Sequence, residues 1–197
     1  MSKDYRFYSA SELESIGEDF CNFLNALVPS DINIELIAKK KLGIEVFPIP
    51  DLRKNNGVYA YINTKANIIY MDEYTYNYYE ETLNTTIAEE IAHVILHSEY
   101  LPHITSFDEH INRWNNIPKN IYHRMDRNAK YLAAALLMPK TMFKKRFKEI
   151  YRESQNIYKQ DLQCISFTLK KLMDEFRVSD KCVFYRCRDL RLISRIK

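Results

Sequence analysis

Residues Thr85 to His97 read TTIAEEIAHVILH. Positions four apart on a helix stack on one face, so Glu89, His93 and His97 form a column with Glu90 beside it. Carboxylate and imidazole groups in such a column have the geometry of a cation site. At about 100° per residue, Leu83, Ile87, Ile91, Val94 and Ile95 fall on the opposite side, which predicts an amphipathic helix. A surface helix with a solvated polar face gives the same pattern, and Thr86 to Glu89 also fits a helix-start capping box. The stretch alone favours that plainer reading.

The 197 residues are enough for one compact unit, expected as a main domain over 1–150 with a helical extension over 151–197 packed on it. A 46% hydrophobic and 28% charged composition is globular and free of low-complexity tracts. The net charge of +3, from 29 basic and 26 acidic residues, is too balanced to imply nucleic acid or an anionic membrane. No apolar run approaches the roughly 18 residues of a membrane span, and the first twenty residues lack the apolar core of a secretion signal. A cytoplasmic location is expected. Cys21, Cys164, Cys182 and Cys187 form no CxxC pair and are read as reduced, mostly buried thiols.

Outward from the central stretch, Leu13, Ile16, Phe20, Phe23, Leu24 and Leu27 recur at helical spacing and Pro29 ends the pattern. A second helix is predicted from Ser30 or Asp31 to a C-cap at Gly43. Ile44 to Phe47, Val58 to Ile62 and Ile68 to Met71 then read as three short strands, the last two a hairpin. Between the central helix and His123, the segment carrying His103, His110, Trp114 and Tyr122 reads as a structured loop whose side chains pack or face solvent. Beyond Pro139, Leu162, Ile165, Leu169, Leu172, Met173 and Phe176 make a core stripe, and Ser179 caps a last helix. The fold class is α+β: a small three-stranded sheet packed on helices, with a helical C-terminal part.

The second half of a site is sought in HRMDRNAKYLAAALLMPK, residues His123 to Lys140. Asp126, Ala129, Ala133, Leu136 and Leu137 share one arc, which places a carboxylate in the apolar stripe of a helix that Pro139 ends. A buried carboxylate is costly unless it is paired or coordinates a metal. The alternative is a wet Asp126 in the first turn, favoured by the helix dipole.

A zinc peptidase helix reads HExxH, two histidines binding metal and the glutamate activating water; here the first position is Glu89, giving EExxH. TIAEEIAHVILH resembles the TLAHELGHxLLH signature of the ImmA/IrrE family of prophage- and mobile-element-associated metallopeptidases, which have a zincin-like fold. DRNAKYLAAALLMP resembles that family's ExEANxFAAxLLMP. The segment from Leu42 to Asp72 looks like its lead-in sheet, and EFRVSDKCVFYRCRDLRLI is similar to its FxVSxxAVxxRLxxLGLI tail. Together these blocks span about two-thirds of the chain.

The resemblance implies that Glu90 is the general base and that Glu89, His93 and Asp126 are metal ligands, with Asp126 shortened by one methylene. Asn128 matches the family's other acid and is an amide here. His97 matches a frequent family histidine, and the family's arginine before the stretch falls at Asn84. Zn2+ is the expected ion, with Mn2+ or Fe2+ as alternatives because a second carboxylate weakens the ion as a Lewis acid and suits harder metals. The implied activity is endopeptidase cleavage of a partner regulatory protein such as a helix-turn-helix repressor. The alternative is a zincin-fold binding module that regulates a partner without cleavage. The C-terminal basic residues Lys181, Arg186, Arg188, Arg191, Arg195 and Lys197 read as a basic helix end and not as a DNA-binding surface.

Overall fold

The computed structural model describes residues 6–101 and 103–193. Helix α1 (Ala10–Leu24) starts at Ser9, where a capping box forms: the Ser9 hydroxyl accepts from the Glu12 amide and the Glu12 carboxylate accepts from the Ser9 amide. The second predicted helix is shorter and broken. The Asp31 carboxylate accepts from the amides of Leu27 and Val28, which commits it to the preceding turn. Helix α2 (Ile34–Ile37) therefore starts at Asn33, continues as a π-turn over Ala38–Leu42 and closes at Gly43 with φ 66°.

Strands β1 (Glu45–Ile49), β2 (Ala60–Asn63) and β3 (Ile68–Asp72) make one sheet in the order β1-β3-β2. The predicted β2–β3 hairpin is present, with Tyr61 opposite Tyr70, and β1 runs parallel to β3 with Val46 opposite Ile69. A short helix α3 (Leu52–Asn56) fills the first connection, where the Asn-Asn-Gly segment reads as a turn, and α4 (Glu73–Tyr78) follows β3 from an Asp72 cap. The sheet's far end holds the next loop in place. Asn63 Nδ2 donates to Thr105 O at 3.1 Å, and Thr64 Oγ1 donates to Leu101 O at 2.8 Å.

Helix α5 (Glu80–His97) carries the central stretch. The segment read as a loop contains helix α6 (Phe107–Asn115), capped by Ser106, and α7 (Lys119–Leu137) begins just after Pro118. The sparse apolar residues of Phe107–Asn115 hide its periodicity, since one edge rests on the sheet through Phe107 and His110 against Tyr61. Pro139 ends α7 as predicted and caps α8 (Lys140–Gln155); α9 (Asp161–Phe176) and α10 (Asp180–Asp189, capped by Ser179) complete the chain. Leu162, placed in the α9 core stripe from sequence, is 64% exposed at that helix's first turn. The four cysteines are free thiols, and all but Cys182 are buried. No helix among the described residues is long and apolar enough to cross a membrane.

Helices α5 and α7 form the most extensive helix pair. Ala88 and Ala92 on one and Ala129 and Ala133 on the other are buried, and side chains this small let backbones approach closely. Helix α1 crosses α7 as closely, because a Cβ on Gly17 would lie 2.8 Å from the Ala135 carbonyl oxygen. A buried ion pair then ties three helices together. Arg186 of α10, fully buried, donates to both Glu14 oxygens at 2.6 and 2.8 Å and to the Met138 carbonyl at 3.0 and 2.8 Å, while the Tyr131 hydroxyl donates to Glu14 at 2.7 Å. Arg186 is thereby removed from any basic surface, and Arg195 and Lys197 lie outside the described residues.

Arg186→Met leaves the Glu14 carboxylate buried without its partner and is expected to cost about 3–5 kcal/mol in urea denaturation. The double variant Glu14→Leu/Arg186→Met is expected to lose less than the single one; an equal or larger loss would show that the pair's charge balance is not what holds α10 in place.

Candidate functional site

The polar face of α5 is enclosed, not solvated. His97 is fully buried and Glu89, Glu90 and His93 are half-buried, while Val94 and Ile95, on the opposite side by sequence, are half-buried against the core. His93 Nδ1 lies 2.9 Å from His97 Nδ1, so one ring donates to the other. That contact gives His97 a role sequence could not supply: it fixes the ring of His93 from one turn further on. The Trp114 ring meets His93 edge-on at 4.7 Å between centroids, and its Nε1 donates to His110 Nε2 at 3.1 Å. Trp114 is thus a lid over His93, held by α6. Accepting at Nε2 leaves the neutral His110 ring protonated at Nδ1, which is buried with no partner among the described residues.

Helix α7 presents its residues differently from the sequence expectation. Its buried side is Met125, Asn128, Ala129, Leu132, Ala133, Ala135, Leu136 and Leu137. Asp126 lies at the edge of that side, well inside the helix and not in its first turn, with a side chain 31% exposed. It is paired with a residue that sequence reading passed over. Lys130 Nζ donates to Asp126 Oδ2 at 2.9 Å. The inward position that Asp126 was expected to fill belongs to Asn128. Asn84, at the position of the family arginine, donates to the carbonyl of Arg177 at 3.1 Å and fastens α5 to the end of α9.

Glu89, Asp126 and Lys130 line one cavity of about 620 Å³, walled on its other side by Cys182, Tyr185 and Arg188 of α10. Burial raises the Glu89 carboxyl above its ordinary value; the Lys130 charge opposes that and the Asp126 charge adds to it. Glu90 is pushed up to about 8 by burial and by the Glu89 charge, and its Oε2 is buried with no hydrogen-bond partner among the described residues. Burial lowers His93 to about 3, helped by His97, His110 and Lys130, and lowers His97 and His110 to about 4. At neutral pH the site therefore holds a protonated Glu90 and neutral imidazoles.

Residues 39–188 match the IrrE N-terminal-like domain of the peptidase M78 family. The chain belongs to this family. No curated protein matches it at a significant level. Among solved structures it is similar to a Mycobacterium tuberculosis transcriptional regulator, with a TM-score of 0.59 at 13% identity over 93% of this chain, a likeness of fold. The chain corresponds to 47% of that protein's length.

Membership in a metallopeptidase-type family makes metal fit the next question, and the donor set answers it. No three His, Cys, Asp or Glu side chains among the described residues converge as a metal-holding group. Of the expected ligands, Asp126 is engaged by an ammonium. As arranged, these residues do not fit a divalent ion.

The shifted groups set the pH dependence of stability. The folded value of Glu90 lies above its ordinary 4.5, so the stability it contributes is complete below about pH 4.5 and is lost as pH rises through about 8. The three histidines are depressed from 6.5, so theirs is present above about pH 6.5 and is lost as pH falls through about 4. Three imidazoles outweigh one carboxyl where the ranges overlap, so stability in chelator is expected to peak near about pH 6.5 and fall on both sides. Glu90→Gln is expected to flatten the alkaline side and keep the acid one. A wild-type curve already flat between about pH 6.5 and 8 would exclude a buried, protonated Glu90.

Proposed function

We propose that this chain is a regulatory member of its peptidase family that holds a protein partner without hydrolysing it through a bound metal. The observation that carries this reading is the Lys130 ammonium on Asp126, within the cavity that Glu89 also lines. A positive charge there opposes a divalent ion and satisfies one carboxylate that the ion would need. The partner is a transcriptional regulator, with a helix-turn-helix repressor as the form the family resemblance suggests and a cytoplasmic setting. A structural neighbour named a transcriptional regulator is in keeping with this.

A second reading is favoured by one observation, the buried Glu90 Oε2 with no partner among the described residues. In that reading the chain is a metal-dependent endopeptidase acting on the same class of partner. Glu90 is its general base, and Glu89, His93 and Asp126 hold Zn2+, or Mn2+ or Fe2+, once Lys130 has moved away.

Protein purified without chelator, incubated with candidate helix-turn-helix repressors, separates the two. The expected result is a stable complex on size-exclusion chromatography, no cleavage with or without added Zn2+, and unchanged binding by Glu90→Gln. Cleavage by the wild type that Glu90→Gln abolishes would overturn the proposal and establish the second reading.

A further inference from the structure

We propose that Lys130 is the resident cation of this cavity, its ammonium bonded to Asp126 in the space that Glu89 also lines, where a peptidase of this plan places a divalent ion. The inference deepens the preceding reading by naming what neutralises the site, and it rests on the non-hydrolytic reading only in taking the carboxylates as already matched by protein charge.

An Asp-Lys pair four residues apart on one helix is by itself an ordinary surface feature worth little. Two further observations set this one apart. The pair sits at the mouth of a cavity whose facing helix, α5, contributes Glu89 to the same lining. Its ammonium makes the 2.9 Å bond to Asp126 Oδ2 and shares that lining with Glu89.

The charge count makes the replacement workable. At the rim Arg127 and Lys181 add positive charge, while Arg188 is paired with Asp189, which lines the same cavity. A divalent ion entering this cavity would have to displace the ammonium from Asp126. A methionine at 130 keeps the length and removes the charge.

The test titrates Zn2+ alone against wild type, Lys130→Met and Lys130→Arg, using a competing fluorescent chelator and thermal denaturation with and without the ion. Lys130→Met is expected to bind Zn2+ at least about tenfold more tightly than wild type and to gain thermal stability from it. Lys130→Arg, which keeps the charge, is expected to behave as wild type. Adding Glu89→Gln to Lys130→Met should remove the gain, which a merely structural effect of the lysine would not predict. If Lys130→Met does not fold, Lys130→Gln makes the same comparison. Equal Zn2+ affinity across the three proteins overturns the inference, whatever the partner assay gives. Partner cleavage by the metal-poor wild type overturns the proposed function and leaves the lysine's role intact.

Discussion

The close packing of α5 on α7 is the constraint from which the site follows. Alanines on both helices remove the bulk that would hold the backbones apart, and the flanks of the contact close over side chains a wider spacing would leave in water. Glu89, Glu90 and His93 occupy such a flank. They are enclosed because of what lies beside them, not because they are apolar. The rest of the fold keeps the two helices in that relation. Gly17 lets α1 lie against α7, the Arg186–Glu14 pair clamps α10 to α1 and to the end of α7, and the β2 edge fixes the loop that brings α6 and Trp114 over His93.

Enclosure then creates an electrostatic problem with few solutions. Neighbouring glutamates in a poorly solvated flank cannot both be charged without compensation. A metallopeptidase solves this with a divalent ion. Here the burden is divided: Glu90 stays protonated, the imidazoles stay neutral, and Glu89 is opposed by Lys130, which also bonds Asp126.

Much of this was legible in the sequence, and the failures have physical causes. Caps at Ser179 and Gly43, the stop at Pro139 and the β2–β3 hairpin depend on local backbone chemistry that one residue type announces. The grouping of Glu89, Glu90 and His93 followed from helical phase. Asp126 was expected in the apolar stripe, but the buried side of α7 runs through Asn128, which precedes the buried Ala129 and lies four before the buried Leu132. The spacing of Asp126 and Lys130 was visible as an i,i+4 pair. Its meaning was not, since that depends on Glu89 arriving from a helix more than thirty residues earlier. Helix α6 was missed for a similar reason, as its apolar contacts are made to a sheet and not along its own stripe.

A lysine and a metal ion neutralise carboxylates in ways that differ in kind. A bound ion stabilises its site in proportion to its free concentration, so a metal-dependent groove changes state with supply and with chelators. An ammonium carried on α7 is present at fixed stoichiometry whenever the chain is folded, and it leaves only if its side chain swings out. Lys130 is well placed for that, with 57% of its side chain exposed while Asp126 is 31% exposed. The groove is therefore preset by the protein itself. What enters it competes with a tethered cation, which favours a ligand bringing its own positive charge to Glu89 and Asp126 over one that needs an open metal. On the reading proposed above, the family's site is turned to recognition, with the carboxylates kept and their counter-ion made part of the chain.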